Sequence, residues 1–149
     1  WDSLAILEYS NERWLDGAGW PRDIAARALA RAVSAEMHSG FQNLRAQCPM
    51  DCVKRSTVPV SAEVLRDIER IGALWRDCRA KYAAGGPFLF GEFSIADAMY
   101  APVALRVMSY AIPVGPVERG YIDALLALPA LREWLSDAEA EQRARRENR

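Results

Sequence analysis

Apolar and polar positions alternate with a helical period along most of the chain, and no segment has a clear period-two pattern. The exception is residues 88–110, FLFGEFSIADAMYAPVALRVMSY, which are apolar on nearly every side. Such a stretch predicts a buried helix, not a surface one. Polar groups mark its start: Ser94 is placed to cap the helix by accepting from the Asp97 N–H, and Asp97 to reach back to the Ser94 N–H. Gly91 permits a sharp approach, and Phe93 stands at the staple position opposite the small Ala98. Pro102 inside the segment removes one helical hydrogen bond and predicts a bend.

The remaining elements follow in order. Residues 2–14 read as a helix opened by Asp2 and Ser3, and 16–19 as a breaker run and the best domain boundary. Pro21 suits the first turn of a long helix over 21–46, with apolar rows Ile24, Ala28, Ala32 and Ala25, Leu29, Val33, Met37. Arg22, Arg27 and Arg31 fall on its other side as a solvated face. A polar loop over 48–60 precedes a helix capped by Ser61 and reaching Tyr82, with one stripe of Val64, Ile68, Ile71, Trp75, Cys78 and Tyr82. After the buried segment come helices over 117–127 and 130–138. They are expected to complete the core with Tyr121, Leu125, Leu131, Trp134 and Leu135. The charged tail, 139–149, reads as a solvated helix end or a disordered one. The fold class is therefore all-α, about six helices packed around one buried, capped core helix.

Composition narrows the function classes. With 149 residues and 51% apolar content the chain can bury a real core, and a net charge of −1 provides no field for nucleic acid or a membrane surface. No apolar run is long enough to span a bilayer. Three cysteines, an odd number, fit a reducing, cytoplasmic compartment. Cys48 and Cys52 form a C-x3-C pair with no second pair and only His38 nearby, so neither a metal site nor a redox pair is expected.

Three stretches resemble the glutathione S-transferase family. WDSLAILEY is similar to the last helix of its N-terminal thioredoxin-like domain. ARALARAVSAEMHSGFQNLR is similar to the first long helix of its C-terminal domain, and GPFLFGEFSIADAMYAPV to its capped core helix. The flavour is bacterial, nearer the zeta and serine-type classes. The resemblance implies that residues 1–15 are the end of a thioredoxin-like domain and 20–149 a C-terminal-like helical domain. It implies glutathione as cosubstrate, small electrophiles as substrates in detoxification chemistry, and a homodimer in the full-length protein. Roughly 60 to 70 further residues upstream, the size of a small βαβ–ββα half-domain, would carry the catalytic Ser, Cys or Tyr. No catalytic residue is thus expected in this chain, which alone is expected to be inactive. The alternative is a non-catalytic helical interaction module.

The resemblance also ranks the polar residues. Asp2 and Ser3 match the acid–Ser pair that grips the γ-glutamyl end. A helix N-terminus with a hydroxyl suits its carboxylate, and an acid its ammonium. A plain helix cap is the competing reading, and the flanking Trp1 and LAILEY favour the ligand role. Met37, His38 and Phe41 fall on the helix that faces the electrophile pocket, with Gln42 and Arg45 as weaker candidates at the same end. Arg106 is an odd charge on the buried helix, offset by about one turn from the zeta-class arginine that holds acidic substrates. Snorkelling to the surface is its expected fate. Ser94 and Asp97 are expected to be structural, and Trp20, Trp75 and Trp134 to be core or interface residues.

Overall fold

A computed structural model describes residues 1–56 and 59–147. Positions 57 and 58 of the expected loop and 148 and 149 of the expected tail lie outside the described residues. Among the described residues there are seven helices: α1 (Ser3–Trp14), α2 (Ile24–Ser39), α3 (Gln42–Gln47), α4 (Ala62–Tyr82), α5 (Ile95–Ser109), α6 (Pro116–Leu126) and α7 (Pro129–Glu147). The only extended pairing among these residues is two isolated bridges in the turn before α5, Phe88 with Gly91 and Phe90 with Glu92. Among the described residues no helix is long and apolar enough to cross a membrane.

Helix α5 is the hub. It packs on α2 and α6, while α4 closes the bundle against α3, α2 and α6. Buried positions occur on every side of it, from Ile95 and Ala96 to Val107 and Ser109. The α4 stripe delivers Trp75 into the centre, where its ring meets those of Tyr100 and Tyr121 edge-on, with centroids 5.6 and 4.7 Å away. Each large apolar side chain enclosed in this way contributes about 1.5–3 kcal/mol over leaving it in water. The Tyr100 hydroxyl donates to the Val33 carbonyl at 3.1 Å, fixing α5 against α2. Helix α5 runs through Pro102 without interruption.

The start of α5 is held from inside. Ser94 and Asp97 form a capping box. The Ser94 N–H donates to Asp97 Oδ2 at 2.8 Å, and the Ser94 hydroxyl donates to the same oxygen at 2.9 Å. The Asp97 N–H also bonds the Ser94 carbonyl at 3.0 Å. Gly91, at φ +90°, makes the turn that precedes it; a Cβ there would stand 2.9 Å from the Ala83 carbonyl oxygen.

Several expectations are corrected. The helix over 21–46 is two helices. Pro21 lies before α2 and not in its first turn, Asp23 caps α2, and Phe41 breaks the path with a left-handed backbone at φ 59°. The buried row of α2 is Ala26, Ala30, Val33, Ser34 and Met37, which leaves Ile24 exposed. The arginines are not simply a solvated face: Arg31 pairs with Glu8 at 2.9 Å, and Arg27 donates to the Pro21 and Arg22 carbonyls. Phe93 is exposed and meets Phe88 edge-on at 5.5 Å, so the staple to Ala98 is not made. Helix α7 runs to Glu147 with no buried residue, and Trp134 is exposed; its main packing partner is α6.

Candidate functional site

The first helix is fixed to the bundle by polar bonds that set where its N-terminus lies. Glu8 accepts from Arg31 Nε at 2.9 Å and from Trp20 Nε1 at 3.0 Å. The Arg31 hydrogen bond is the main reason the Glu8 carboxyl sits below its usual range. Buried Asn11 accepts the Gly19 N–H at 2.8 Å, tying down the breaker run that follows. These anchors bring the start of α1 beside the end of α2.

Asp2 and His38 meet there. Asp2 Oδ1 accepts the Ala5 N–H at 2.9 Å and caps α1. Asp2 Oδ2 lies 2.7 Å from His38 Nε2. The Ala5 N–H, and then His38, hold the Asp2 carboxyl below the ordinary carboxylate range. Ser3 is exposed beside it.

Below this pair opens a cleft of about 570 Å³, lined by Ser3, Ile6, Leu7, Met37, His38, Arg45, Met50, Ala98, Met99, Pro102 and Arg106. Pro102 withdraws the N–H that would bond the Ala98 carbonyl, and both residues line the cleft. Arg106 does not snorkel. It is only 8% exposed, with Nε donating to the Cys48 carbonyl at 2.9 Å and Nη1 to the Pro102 carbonyl at 3.2 Å. Burial, and then the neighbouring Arg45 charge, pull its pKa down from the usual arginine value. Arg45 closes the end of α2, donating to the Met37, His38 and Gly40 carbonyls.

The structure thus gathers Ser3, Met37, His38 and Arg106 around one cleft, with Asp2 on its rim through His38. Phe41 is not among the lining residues. The break between α2 and α3 turns it into the hydrophobic core, and the Ser39-Gly40 pair just before it is the sequence signal for that break. Ile6, Leu7, Met50, Met99 and Pro102 were missed as lining residues, since nothing in their spacing links them. Gln42 bonds the Ser39 carbonyl and does not line the cleft. A second cleft, about 410 Å³ beside Trp20, Tyr82 and Phe93, holds only Ser94 of the candidate residues.

Ser94 and Asp97 belong to the interior. Asp97 also accepts the Leu89 N–H at 3.1 Å and the Tyr121 hydroxyl at 3.0 Å, so no lone pair is left for a ligand. Cys48 and Cys78 are buried, and burial pushes both thiols up, Cys78 to about 11. Among the described residues no group of three or more His, Cys, Asp or Glu is gathered that could hold a metal ion.

A family profile described as "Glutathione S-transferase, C-terminal domain" matches residues 58–137, more than half of the chain. No curated protein matches the sequence. Among solved structures, the chain is similar to a glutathione transferase homolog from Burkholderia gl BGR1 with bound glutathione. The identity is 22% and the TM-score 0.66, and the alignment covers 94% of this chain and 67% of the other.

Proposed function

The chain belongs to the glutathione S-transferase C-terminal-domain family, and from that premise we propose that it supplies the helical side of a glutathione-dependent site. In this reading Asp2 and Ser3 hold the γ-glutamyl end of glutathione, and the cleft below them receives a small electrophile. The reaction is attack by the glutathione thiolate. Proximity supplies much of the rate, because the thiol and the electrophile are held side by side. The side chains of this sequence bind and orient; none is assigned to activate the thiol. An upstream thioredoxin-like segment would do that, and residues 1–15 would be its last helix. A dimeric, cytoplasmic, bacterial enzyme of detoxification fits the same reading.

The observation that carries the proposal is the 2.7 Å contact between Asp2 and His38. Two residues 36 positions apart, each a candidate on other grounds, meet at the rim of the cleft that Ser3 and His38 line. The bound glutathione of the Burkholderia homolog supports it as an analogy of fold.

A titration of glutathione followed by amide chemical shifts tests the reading. Weak binding, looser than micromolar, is expected, with shifts at Ser3 to Leu7 and at His38, and their loss in Asp2→Asn. Shifts elsewhere, or unchanged shifts in the variant, would sink it. A second reading, a protein-interaction module, is favoured by one feature: Ile6, Tyr9, Trp14 and Leu15 leave α1 with an exposed apolar face.

A further inference from the structure

The hub helix is uncovered in one place. Before its last turn, the α5 residues that are not buried are Ala98, Ala101 and Pro102, three and four positions apart on one face. Ala98 and Pro102 line the cleft, with Met99 and Arg106 of the same helix. Proline has no N–H, so the donor that an α-helix would offer to the Ala98 carbonyl is missing at this spot. Helix α5 continues on both sides of Pro102, which commits the neighbouring N–H groups to their own carbonyls. The gap in the helical bonds and the gap in the packing thus coincide, and both fall on the cleft wall.

Among the described residues no side-chain hydrogen bond ends on the Ala98 carbonyl. The nearest donors of α5 are used elsewhere: Arg106 donates to the Cys48 and Pro102 carbonyls, and the Tyr100 hydroxyl to the Val33 carbonyl. Arg45 donates to the carbonyls that end α2. A backbone carbonyl is an obligatory acceptor, so whatever occupies the cleft, water or ligand, is asked for a donor here. The rest of the lining narrows that donor. Arg45 and Arg106 both line the cleft and no Asp or Glu does, which opposes an ammonium and leaves a neutral hydroxyl or N–H. Leu7, Met37, Met50 and Met99 ask for an apolar body.

We propose that the electrophile seated in this cleft is an apolar molecule with a neutral hydroxyl or amide N–H, which donates to the Ala98 carbonyl, and that Pro102 sets this specificity by keeping the carbonyl open. This deepens the glutathione-transferase reading by naming the substrate class, and it rests on that reading only for the cleft's role. No covalent step is involved. The hydrogen bond fixes which end of the molecule lies against α5 and which is left for the thiol.

The test needs no glutathione, so its failure is distinct from failure of the glutathione titration. Chemical-shift titrations would compare 4-ethylphenol with 1-ethyl-4-fluorobenzene, which are close in size and differ in the donor. The wild-type chain should bind the phenol about fivefold tighter, the order expected of one hydrogen bond. The carbonyl carbon resonance of Ala98 should move with the phenol and stay still with the fluorobenzene. Pro102→Ala returns the N–H to the helix and should abolish both the preference and the carbonyl response. Alanine is the better helix former, so this variant is expected to fold. Equal binding of the two probes by the wild type, no binding of either, a still Ala98 carbonyl, or an unchanged preference in Pro102→Ala would overturn the proposal. Circular dichroism checks that the variant folds. If it does not, the wild-type preference and the Ala98 carbonyl resonance decide the matter.

Discussion

Two aspartates begin two helices of this protein, and their fates are opposite. Asp97 at the start of α5 is fully buried and accepts four hydrogen bonds, from the Leu89 and Ser94 N–H groups and the Ser94 and Tyr121 hydroxyls. Asp2 at the start of α1 is half-exposed and accepts one backbone bond, with His38 at its other oxygen. Burial raises the Asp97 carboxyl, although its hydrogen bonds oppose the rise. The Ala5 N–H lowers that of Asp2. A carboxylate whose lone pairs are all used inside the protein builds structure. One with spare acceptor capacity at the edge of a cleft can meet a ligand. The residue type is the same, and satisfaction is what separates the roles.

The largest expected effect is on the interior side. Asp97→Ala orphans four donors, and each buried group left unmet costs about 1–3 kcal/mol, so urea unfolding should show a loss of about 3 kcal/mol or more. A loss near zero would mean that water replaces the carboxylate.

A smaller effect is the pH dependence of the same group. Its folded pKa lies above the ordinary value of 3.8, so the native state holds the proton more tightly than the unfolded chain. The stability it contributes is complete below that value and declines as pH rises through the folded pKa. Asp97→Asn lacks this titration. The stability gap between wild type and Asp97→Asn should therefore be widest at acid pH and narrow toward neutrality. A gap that is flat with pH, in urea series between about pH 3 and 7, would show that hydrogen bonds cancel the burial term.

The smallest stability effect belongs to Asp2→Asn. The side chain is exposed and screened, and Asn is also a good N-cap, so the thermal midpoint should scarcely move. The same change should erase the glutathione-induced shifts at α1. A variant that unfolds easily yet still binds glutathione would reverse the assignment of the two aspartates.

Much of the architecture was legible along the chain, for local reasons. The α4 stripe from Val64 to Cys78 is buried as its spacing of three and four predicts, and Ser61 and Ser94 stand at the caps of α4 and α5. The all-round apolar character of 88–110 marks the hub. The errors fall where two local signals compete. On α2 two apolar rows were available, and packing against its neighbours, chiefly α5, decides that Ala26, Ala30, Val33 and Met37 turn inward. Leu131, Trp134 and Leu135 are apolar enough for a core, but α7 packs mainly on α6 alone, and none of the three is buried.

The candidate site divides in the same way. By itself the sequence determined that Asp2 and Ser3 open a helix, that Met37 and His38 lie on the next one, and that Arg106 is a charge out of place on an apolar segment. Capping and periodicity depend on residues within about one turn, so the sequence carries them directly. Only the tertiary structure decided that Asp2 meets His38, that Phe41 turns away from the cleft, and that Arg106 stays inside. Those outcomes depend on how α1, α2 and α5 are set against one another. That setting comes from Glu8 with Arg31, Asn11 with Gly19, and Tyr100 with Val33. The first and last of these pairs join parts of the chain 23 and 67 residues apart, and no local pattern encodes them.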